Sequence, residues 1–304
     1  MSAKHLRLIA LGLVVLLLLW GGSELLSRGS DSVTGSLALP ALSDKDVDTV
    51  SIVKGTDSIV LAKQSPTAWN VNGHRAAFTA VAELFQVLAD SVPLEVVAQA
   101  PSSFARLGVD SATGRRLRLV RAGKPPLDFI IGTGAGFQGA YLRRPGDAHV
   151  YLRRGRLGSV VDRTVDGWRD KRIATLARDS IVALDVVRGK DRYAVRRAGA
   201  RWTMNGQATD SAALARYLDR LTNIAASGFA TPVAPDSVKA RAVRRLTVRG
   251  AHGVLLTLAF DSLSSGFLVH HLAGTGGEGA TAYLMTFWDV DGLTPASRSL
   301  LHAK

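Results

Sequence analysis

Apolar and polar residues alternate in two distant stretches of the chain, one around Val50 and Ile52 and the other around Leu184 and Val186. Alternation with a period of two, carried largely by β-branched residues, predicts half-buried strands. A glycine and then an aspartate follow each stretch, and both residue types favour the tight turn of a β-hairpin. The pattern therefore predicts the same hairpin twice.

Each hairpin is followed by a short stretch that contains a tryptophan and ends at Asn-Gly, the strongest short signal for a hairpin turn. The spacing between the first glycine and the tryptophan differs by one residue between the copies. We interpret the tryptophans as core anchors of a repeated fold, with a surface ligand contact as the alternative. The residues expected to determine the repeated fold are Gly55, Asp57, Trp69, Asn72, Gly73, Gly189, Asp191, Trp202, Asn205 and Gly206.

Apolar residues at helical spacing come next, from Phe78 to Leu88 in the first copy and from Leu214 to Leu221 in the second. Such a stripe is typical of a helix that lies on a sheet, and Asp210 is a candidate N-cap for the second helix. Further alternating stretches follow both helices. The sequence thus predicts an α+β fold, a tandem duplication of a mostly antiparallel sheet domain with one main packed helix.

Length and composition fit this division. The 304 residues are 47% apolar, which excludes a largely disordered chain, and the absence of cysteine excludes disulfides, thiolate metal sites and a cysteine nucleophile. The predicted parts are 1–30 (cytoplasmic tip, membrane anchor and start of a tether), 31–45 (linker), 46–165 (first α+β repeat), 166–178 (junction) and 179–304 (second α+β repeat).

The N-terminus predicts the location of the protein. Lys4 and Arg7 precede an apolar stretch at 8–26, which is long enough for one transmembrane helix. Positive residues before such a helix favour a cytoplasmic N-terminus. We therefore expect a single-pass protein of the inner membrane with its bulk outside the cytoplasm. A cleaved signal peptide is the alternative, with Gly22 or Ser23 at the cleavage site.

The net charge of +13 would ordinarily indicate nucleic acid, but an extracytoplasmic chain is expected to meet lipid head groups, an acidic polymer or an acidic protein face instead. The basic residues are densest around one predicted hairpin turn. A charged hairpin can simply guard a sheet edge against aggregation, or it can dock a partner. The candidate partner-binding residues are Arg143, Arg144, Arg153, Arg154, Arg156 and Trp168.

Two further expectations concern these residues. On paired strands, Arg143 and Arg153 would share one face of the sheet, and Arg144 and Arg154 the other. Trp168 belongs to the junction segment Trp168-Arg169-Asp170-Lys171-Arg172, which either packs the two domains together or presents the tryptophan to a partner.

Motifs that carry chemistry are weak in this sequence. Gly134-Ala135-Gly136-Phe137-Gln138-Gly139 matches a dinucleotide fingerprint, but a predicted strand follows it where the motif requires a helix. The segment from Asp44 to Asp48 lacks the glycine and glutamate of a calcium loop. His270 and His271 are adjacent, so on a strand they point to opposite faces. We therefore predict no catalytic residue, no metal and no cofactor, and a protein that is not an enzyme.

Three segments resemble a bacterial family of membrane-anchored proteins, the domain of unknown function numbered 4340. They are Phe104-Ala105-Arg106-Leu107-Gly108-Val109, the step Ile131-Gly132 and the junction Trp168–Arg172. The resemblance implies an association with ABC-type export systems of the gliding-motility auxiliary kind, and no catalytic residues.

The expected function is therefore an accessory or binding subunit, with an ABC permease and ATPase or related subunits as partners and no nucleic acid. The alternative is an envelope enzyme or binding protein that acts on an acidic polymer through the basic hairpin. A third hypothesis is a purely structural scaffold of the cell envelope.

Overall fold

The computed structural model describes residue 37 and residues 39–132, 135–230, 242–278 and 281–301. The apolar stretch at 8–26, predicted to form the membrane anchor, lies outside the described residues. None of the helices among the described residues is long and apolar enough to cross a membrane.

The chain forms two nine-stranded antiparallel sheets, and the strand order of the first is β4-β3-β2-β1-β6-β7-β8-β9-β5. Every neighbouring pair in this sheet is antiparallel, as expected for a sheet with one face on a core. Its strands are β1 (Thr49–Lys54), β2 (Asp57–Ser65), β3 (Ala68–Val71), β4 (His74–Arg75), β5 (Leu94–Ala98), β6 (Arg115–Arg121), β7 (Lys124–Gly132), β8 (Gly139–Arg143) and β9 (Val150–Arg154).

The second sheet has the order β14-β13-β12-β11-β17-β18-β19-β20-β16, which matches the first strand for strand. A separate pair, β10 (Arg172–Thr175) and β15 (Asn223–Ala225), begins in the junction. The strands of the second sheet are β11 (Ala183–Arg188), β12 (Asp191–Ala198), β13 (Arg201–Met204), β14 (Gln207–Ala208), β16 (Gly228–Ala230), β17 (Arg244–Gly250), β18 (Gly253–Leu263), β19 (Gly266–Gly274) and β20 (Ala282–Met285).

One main helix packs on each sheet, as the apolar stripes predict. Its buried stripe in the first copy includes Val81, Leu84 and Leu88, and in the second Leu214 and Leu218. The helices are α1 (Phe78–Ala89), α2 (Phe104–Leu107), α3 (Leu157–Val161), α4 (Val165–Trp168), α5 (Ser211–Leu221) and α6 (Phe287–Leu293). Asp210 caps α5 by accepting a hydrogen bond from the backbone N–H of Ala213 at 2.7 Å. The α+β class is therefore confirmed, with two large sheets and few helices.

The Asn-Gly turns have the geometry that their residues favour. Asn72 and Asn205 adopt φ values of 47° and 48°, and the glycine after each also has a positive φ, as a type I′ turn requires. Each asparagine side chain accepts a hydrogen bond from the neighbouring strand, Asn72 from the N–H of Val60 at 2.8 Å and Asn205 from that of Ala194 at 3.1 Å. The two turns therefore have the same conformation and bond to equivalent residues of their own sheets.

Each sheet has its own core on the face covered by the main helix. In the junction, Trp168 belongs to the first core, whereas Ile173 and Leu176 belong to the second. A third, smaller cluster lies on the opposite face of the first sheet, around Leu107 and Val150. The junction thus connects the two cores within a few residues.

Candidate functional site

An open groove of about 430 Å³ lies beside Trp69, between β3 and α1. Its walls are mainly apolar and include the rings of Trp69, Phe78 and Phe85. The Trp69 and Phe85 rings pack at a centroid distance of 5.3 Å, whereas the side chain of Phe78 is 69% exposed. Polar side chains also line it, among them the half-buried Ser43 and Asp44. The groove therefore offers mainly apolar contacts with one carboxylate beside them.

The local sequence explains how this groove forms. Phe78 is the first residue of α1 and points away from the core, while Val81 and Phe85 on the same helix line the groove floor. Small side chains at Ala82 and Ala89 leave space along the helix. Trp69 is buried at the sheet side, where it belongs to the first core, and it also lines the groove.

The second repeat has a groove at the equivalent place, beside Trp202, with a volume of about 310 Å³. Trp202 is half-buried and packs against the second core. Ser211 occupies the first position of α5, where the first repeat has Phe78. Arg178 and Arg201 line this groove. The two grooves thus share their position but differ in chemistry, since the second is smaller and bears positive charge.

The basic hairpin is arranged differently from the sequence-based expectation. Ala140 pairs with Arg153 and Gly139 with Arg154. Continuing this register places Arg143 on the face opposite Arg153, so the expectation that they share a face is wrong. The loop between β8 and β9 fixes this register, and the sequence alone does not define it.

Arg143 and Arg153 are both buried, with 8% and 1% of their surface exposed. Arg153 donates hydrogen bonds to the carbonyl oxygens of Val87 (2.5 Å) and Asp90 (3.1 Å), at the C-terminal end of α1. This arrangement satisfies terminal helix carbonyls and places a cation at the negative end of the helix dipole. Burial lowers the pKa of Arg153 from its ordinary value. Its side chain therefore holds the fold together and is not available to a partner.

Arg143 contacts the segment from Phe104 to Val109 on the other face of the sheet. Its guanidinium donates to the carbonyl oxygen of Val109 at 3.0 and 3.1 Å and lies 4.1 Å from the centre of the Phe104 ring. Burial lowers the pKa of Arg143 as well. Arg143 and Arg153 are therefore removed from the predicted docking patch by burial.

The remaining arginines of the cluster are exposed. Arg154 lies 3.4 Å from Glu95, and Arg156 forms an ion pair with Glu83 on α1. Arg144 precedes the hairpin turn at the rim of the sheet. Partner binding by these three residues stays a prediction.

Glu83 connects α1 to the end of the first repeat. Besides Arg156, it accepts a hydrogen bond from Arg163, whose guanidinium lies 5.2 Å from the centre of the Trp168 ring. The hydrogen bond and charge of Arg163, with a contribution from Arg156, hold the pKa of Glu83 below its ordinary value. This carboxylate is therefore fully ionised near neutral pH and suited to a structural role.

Trp168 has 0% of its surface exposed and lies in the first core, so it does not present its ring to a partner. The rest of the junction connects the two sheets. Arg169 lies 3.2 Å from Glu278 of the second repeat and 3.5 Å from the centre of the Phe229 ring. His74 of the first sheet lies 3.3 Å from the same Glu278 carboxylate. Glu278 therefore contacts the first sheet and the junction together.

The two other segments that carried the family resemblance pack against each other. Leu107 and Val109 form the small third cluster, and Gly108 adopts a φ of 65°, which favours glycine. A Cβ atom at Gly132 would overlap the carbonyl oxygen of Leu107. The glycine thus allows α2 to approach the end of β7, and these motifs serve the fold.

The glycine-rich loop behaves as its context predicts. Residues 133 and 134 lie outside the described part, but a short 3₁₀ turn at Gly136–Gln138 leads directly into β8. No helix follows the motif, so it cannot place a pyrophosphate on a helix N-terminus.

Sequence reasoning missed the grooves, because they depend on how β3 and α1 approach each other.

Among the described residues, no group of three or more His, Asp or Glu side chains could hold a metal ion. Tyr193 and Tyr217 have pKa values raised by burial, and each donates a hydrogen bond to a backbone carbonyl, of Pro295 and Leu293 respectively. These buried groups are satisfied structurally.

Comparison with known proteins adds the family and nothing about chemistry. No curated protein and no solved structure matches the chain. A family model described as a domain of unknown function (DUF4340) matches residues 42–243, about two thirds of the chain, from the segment before β1 to the residue before β17. Together with the three segments that pack as described above, this match shows that the chain belongs to the DUF4340 family.

Proposed function

We propose that the chain is a membrane-anchored, extracytoplasmic, non-catalytic accessory subunit that binds a protein partner within an ABC-type export or envelope assembly. In this proposal residues 8–26 anchor the chain in the inner membrane, and a tandem duplication gave the repeats at 46–165 and 179–304. The observation that carries the proposal is the apolar groove beside Trp69, because its walls offer apolar contact area and no converging catalytic groups.

The occupant that suits this groove is an apolar segment of the partner protein that inserts side chains. Backbone pairing is blocked at this edge of the sheet, since Ala76 already bridges Arg169 and the N–H of Asp170 donates to the carbonyl oxygen of Arg75 at 2.8 Å. An added strand would find these groups occupied. The exposed Phe78 ring at the groove mouth has the character of an interface hot spot.

An acidic polymer bound through the basic hairpin has less support. Arg143 and Arg153 donate to backbone carbonyls inside the fold, and Arg154 and Arg156 are paired with carboxylates. A polymer would have to compete with these internal partners. The protein-binding proposal requires no such exchange.

The test compares Phe78→Asp with Ser211→Asp in full-length protein purified from detergent-solubilised native membranes. Both residues open the main helix of their repeat and are exposed, so either change should alter stability by less than about 0.5 kcal/mol. We expect Phe78→Asp to reduce recovery of a co-purifying ABC permease and ATPase at least about tenfold, equivalent to ~1.4 kcal/mol. Ser211→Asp should leave it unchanged.

Mass spectrometry with isotope-labelled peptides measures the recovered permease and ATPase. Equal recovery with both variants would exclude the groove as the binding site. Wild-type protein recovered alone under several mild detergents would count against the accessory-subunit proposal itself.

A further inference from the structure

The outer face of the second sheet, turned away from α5, carries four arginines in a regular arrangement. Arg192 and Arg196 lie on β12, and Arg245 and Arg249 lie on β17, with β11 between them. Both Arg192 and Arg245 pair with Val187, and both Arg196 and Arg249 pair with Ala183 on β11. Because directly paired residues share a face, the four side chains project from the same side of the sheet.

This part of the outer face has an excess of positive charge. Asp185, at the centre of the arrangement, lies 2.5 Å from Arg196 and 2.9 Å from Arg249. Burial alone would raise the pKa of Asp185, but the hydrogen bonds from Arg249 and Arg196 outweigh it and lower the pKa. Among the described residues no carboxylate forms an ion pair with Arg192 or Arg245. Asp261, two residues beyond the β18 partner of Arg245, is a second and buried carboxylate on this face, so two carboxylates face four guanidinium groups.

Exposed apolar side chains lie at one end of this face. Val243 and Leu263 are on the outer face where β17 begins and β18 ends, and both are exposed. The helix α6 also begins at this end of the sheet, but it lies on the α5 side, since its Phe287 ring contacts Phe267 of the second core. Cations next to exposed aliphatic side chains are typical of surfaces that contact lipid head groups.

The equivalent face of the first sheet lacks this combination. Ser51 stands at the centre of its β1 strand as Asp185 does in β11, and only Arg116 and Arg118 project from the adjacent β6. Arg116 is bound to Asp128.

We propose that the outer face of the second sheet, formed by Arg192, Arg196, Arg245 and Arg249 with Val243 and Leu263 at its end, rests on the anionic head groups of the membrane. The inference relies on the membrane anchor of the proposed function. If residues 27–36 are a tether, their reach is at most about 35 Å, so the folded part stays close to the bilayer. A sheet face with four cations suits an anionic surface.

A lipid surface fits better than a soluble acidic polymer because of the apolar residues at the end of the face. A polymer would leave Val243 and Leu263 in water, whereas a bilayer interface accommodates them beside the head groups. The arginines attract the surface, and the apolar side chains distinguish lipid from other anions.

The absence of native cysteine allows a site-specific test on the full-length chain in lipid nanodiscs. The substitution Ala194→Cys places a fluorophore on the arginine face, and Val60→Cys places it at the equivalent position in the first sheet. The positions are equivalent because the backbone N–H of each residue donates to the asparagine of the turn in its own repeat. Quenching by head-group quencher lipids is measured with neutral lipid and with about 30 mol% phosphatidylglycerol. We expect at least about twofold stronger quenching at residue 194 only, and only with the anionic lipid.

Two variants and a salt titration complete the test. Arg192→Glu with Arg245→Glu should reduce quenching to the neutral-lipid value, as should about 0.5 M salt, whereas Arg118→Glu should have no effect. Each variant must keep the thermal unfolding midpoint of the parent, and Leu263→Ser supplies a second, weaker reduction if the double variant fails to fold.

Equal quenching at both labels, or quenching indifferent to lipid charge, would overturn the proposal. A change in the fluorescence of the label at residue 194 with soluble polyglutamate, but not with anionic lipid, would also overturn it and would indicate an acidic polymer. Failure of the chain to insert into nanodiscs at all would contradict the anchor rather than this face.

Discussion

At the scale of single residues, burial separates arginines that adjoin each other in the sequence. Arg153 is enclosed beneath α1 and donates to terminal helix carbonyls, whereas Arg154 is exposed and meets a single exposed carboxylate. The second repeat has Met285 where the first has Arg153. The two positions are equivalent because each lies two residues after a buried tyrosine, Tyr283 or Tyr151. One repeat thus uses a buried cation where the other uses an apolar side chain.

Replacing Arg153 should therefore cost far more stability than replacing its neighbour. We expect Arg153→Ala to lower the free energy of unfolding by about 2–4 kcal/mol, because it leaves helix carbonyls unsatisfied and opens a cavity. Arg154→Ala should cost less than about 1 kcal/mol, as exposed ion pairs do. Urea unfolding of the full-length protein in detergent measures both. Comparable losses from the two variants would contradict the structural role assigned to Arg153.

At the scale of helices and strands, some parts of the fold are determined by residues that are close in sequence. The alternating strands, the Asn-Gly turns and the apolar stripes of α1 and α5 arise from residues close in sequence, so they could be predicted. The opposite orientation of Arg143 and Arg153 depends on the register of β8 and β9, which the loop between them decides. The burial of Trp168 and the grooves beside the two tryptophans depend on elements that meet only in space.

Glu83 provides a prediction at this scale, because it connects α1 to the segment around α3 and α4 through Arg156 and Arg163. Its folded-state pKa lies below its ordinary value of 4.5. The stabilisation is therefore fully present above that value and is lost as the pH falls through the lower, folded-state pKa. The stability difference between the parent and Glu83→Gln should be largest near pH 7 and should shrink below about pH 4.

Urea midpoints of both proteins at about pH 7 and about pH 3 measure this difference. Asp219→Asn is a suitable control, since Asp219 pairs with Arg178 on the exposed surface of the second repeat. A difference between parent and Glu83→Gln that stays constant with pH would show that the ion pairs of Glu83 contribute nothing.

At the scale of the whole molecule, a small polar joint connects two separately built sheets. Glu278 comes from the connection between β19 and β20. Its carboxylate meets Arg169 and His74 and accepts a hydrogen bond from the N–H of Arg75. This connection of the second repeat thus contacts both the junction and the first sheet.

Removing this carboxylate should uncouple the two sheets. We expect Glu278→Ala to divide a single calorimetric unfolding transition into two, since each sheet retains its own core. Asp162→Ala, which removes an ion pair with Arg115 within the first repeat, should leave the number of transitions unchanged. An undivided transition in Glu278→Ala would mean that the joint is held mainly by other contacts.

The separate construction of the sheets has a consequence for the order in which the molecule is completed. Every strand of the first sheet comes from residues before 155, and its core closes with Trp168. A chain that emerges with its N-terminus first can therefore finish the first half while the second is still unmade. Glu278 is synthesised only after the first sheet and most strands of the second. The joint that it forms with Arg169 then acts as a latch, which closes once both halves have folded.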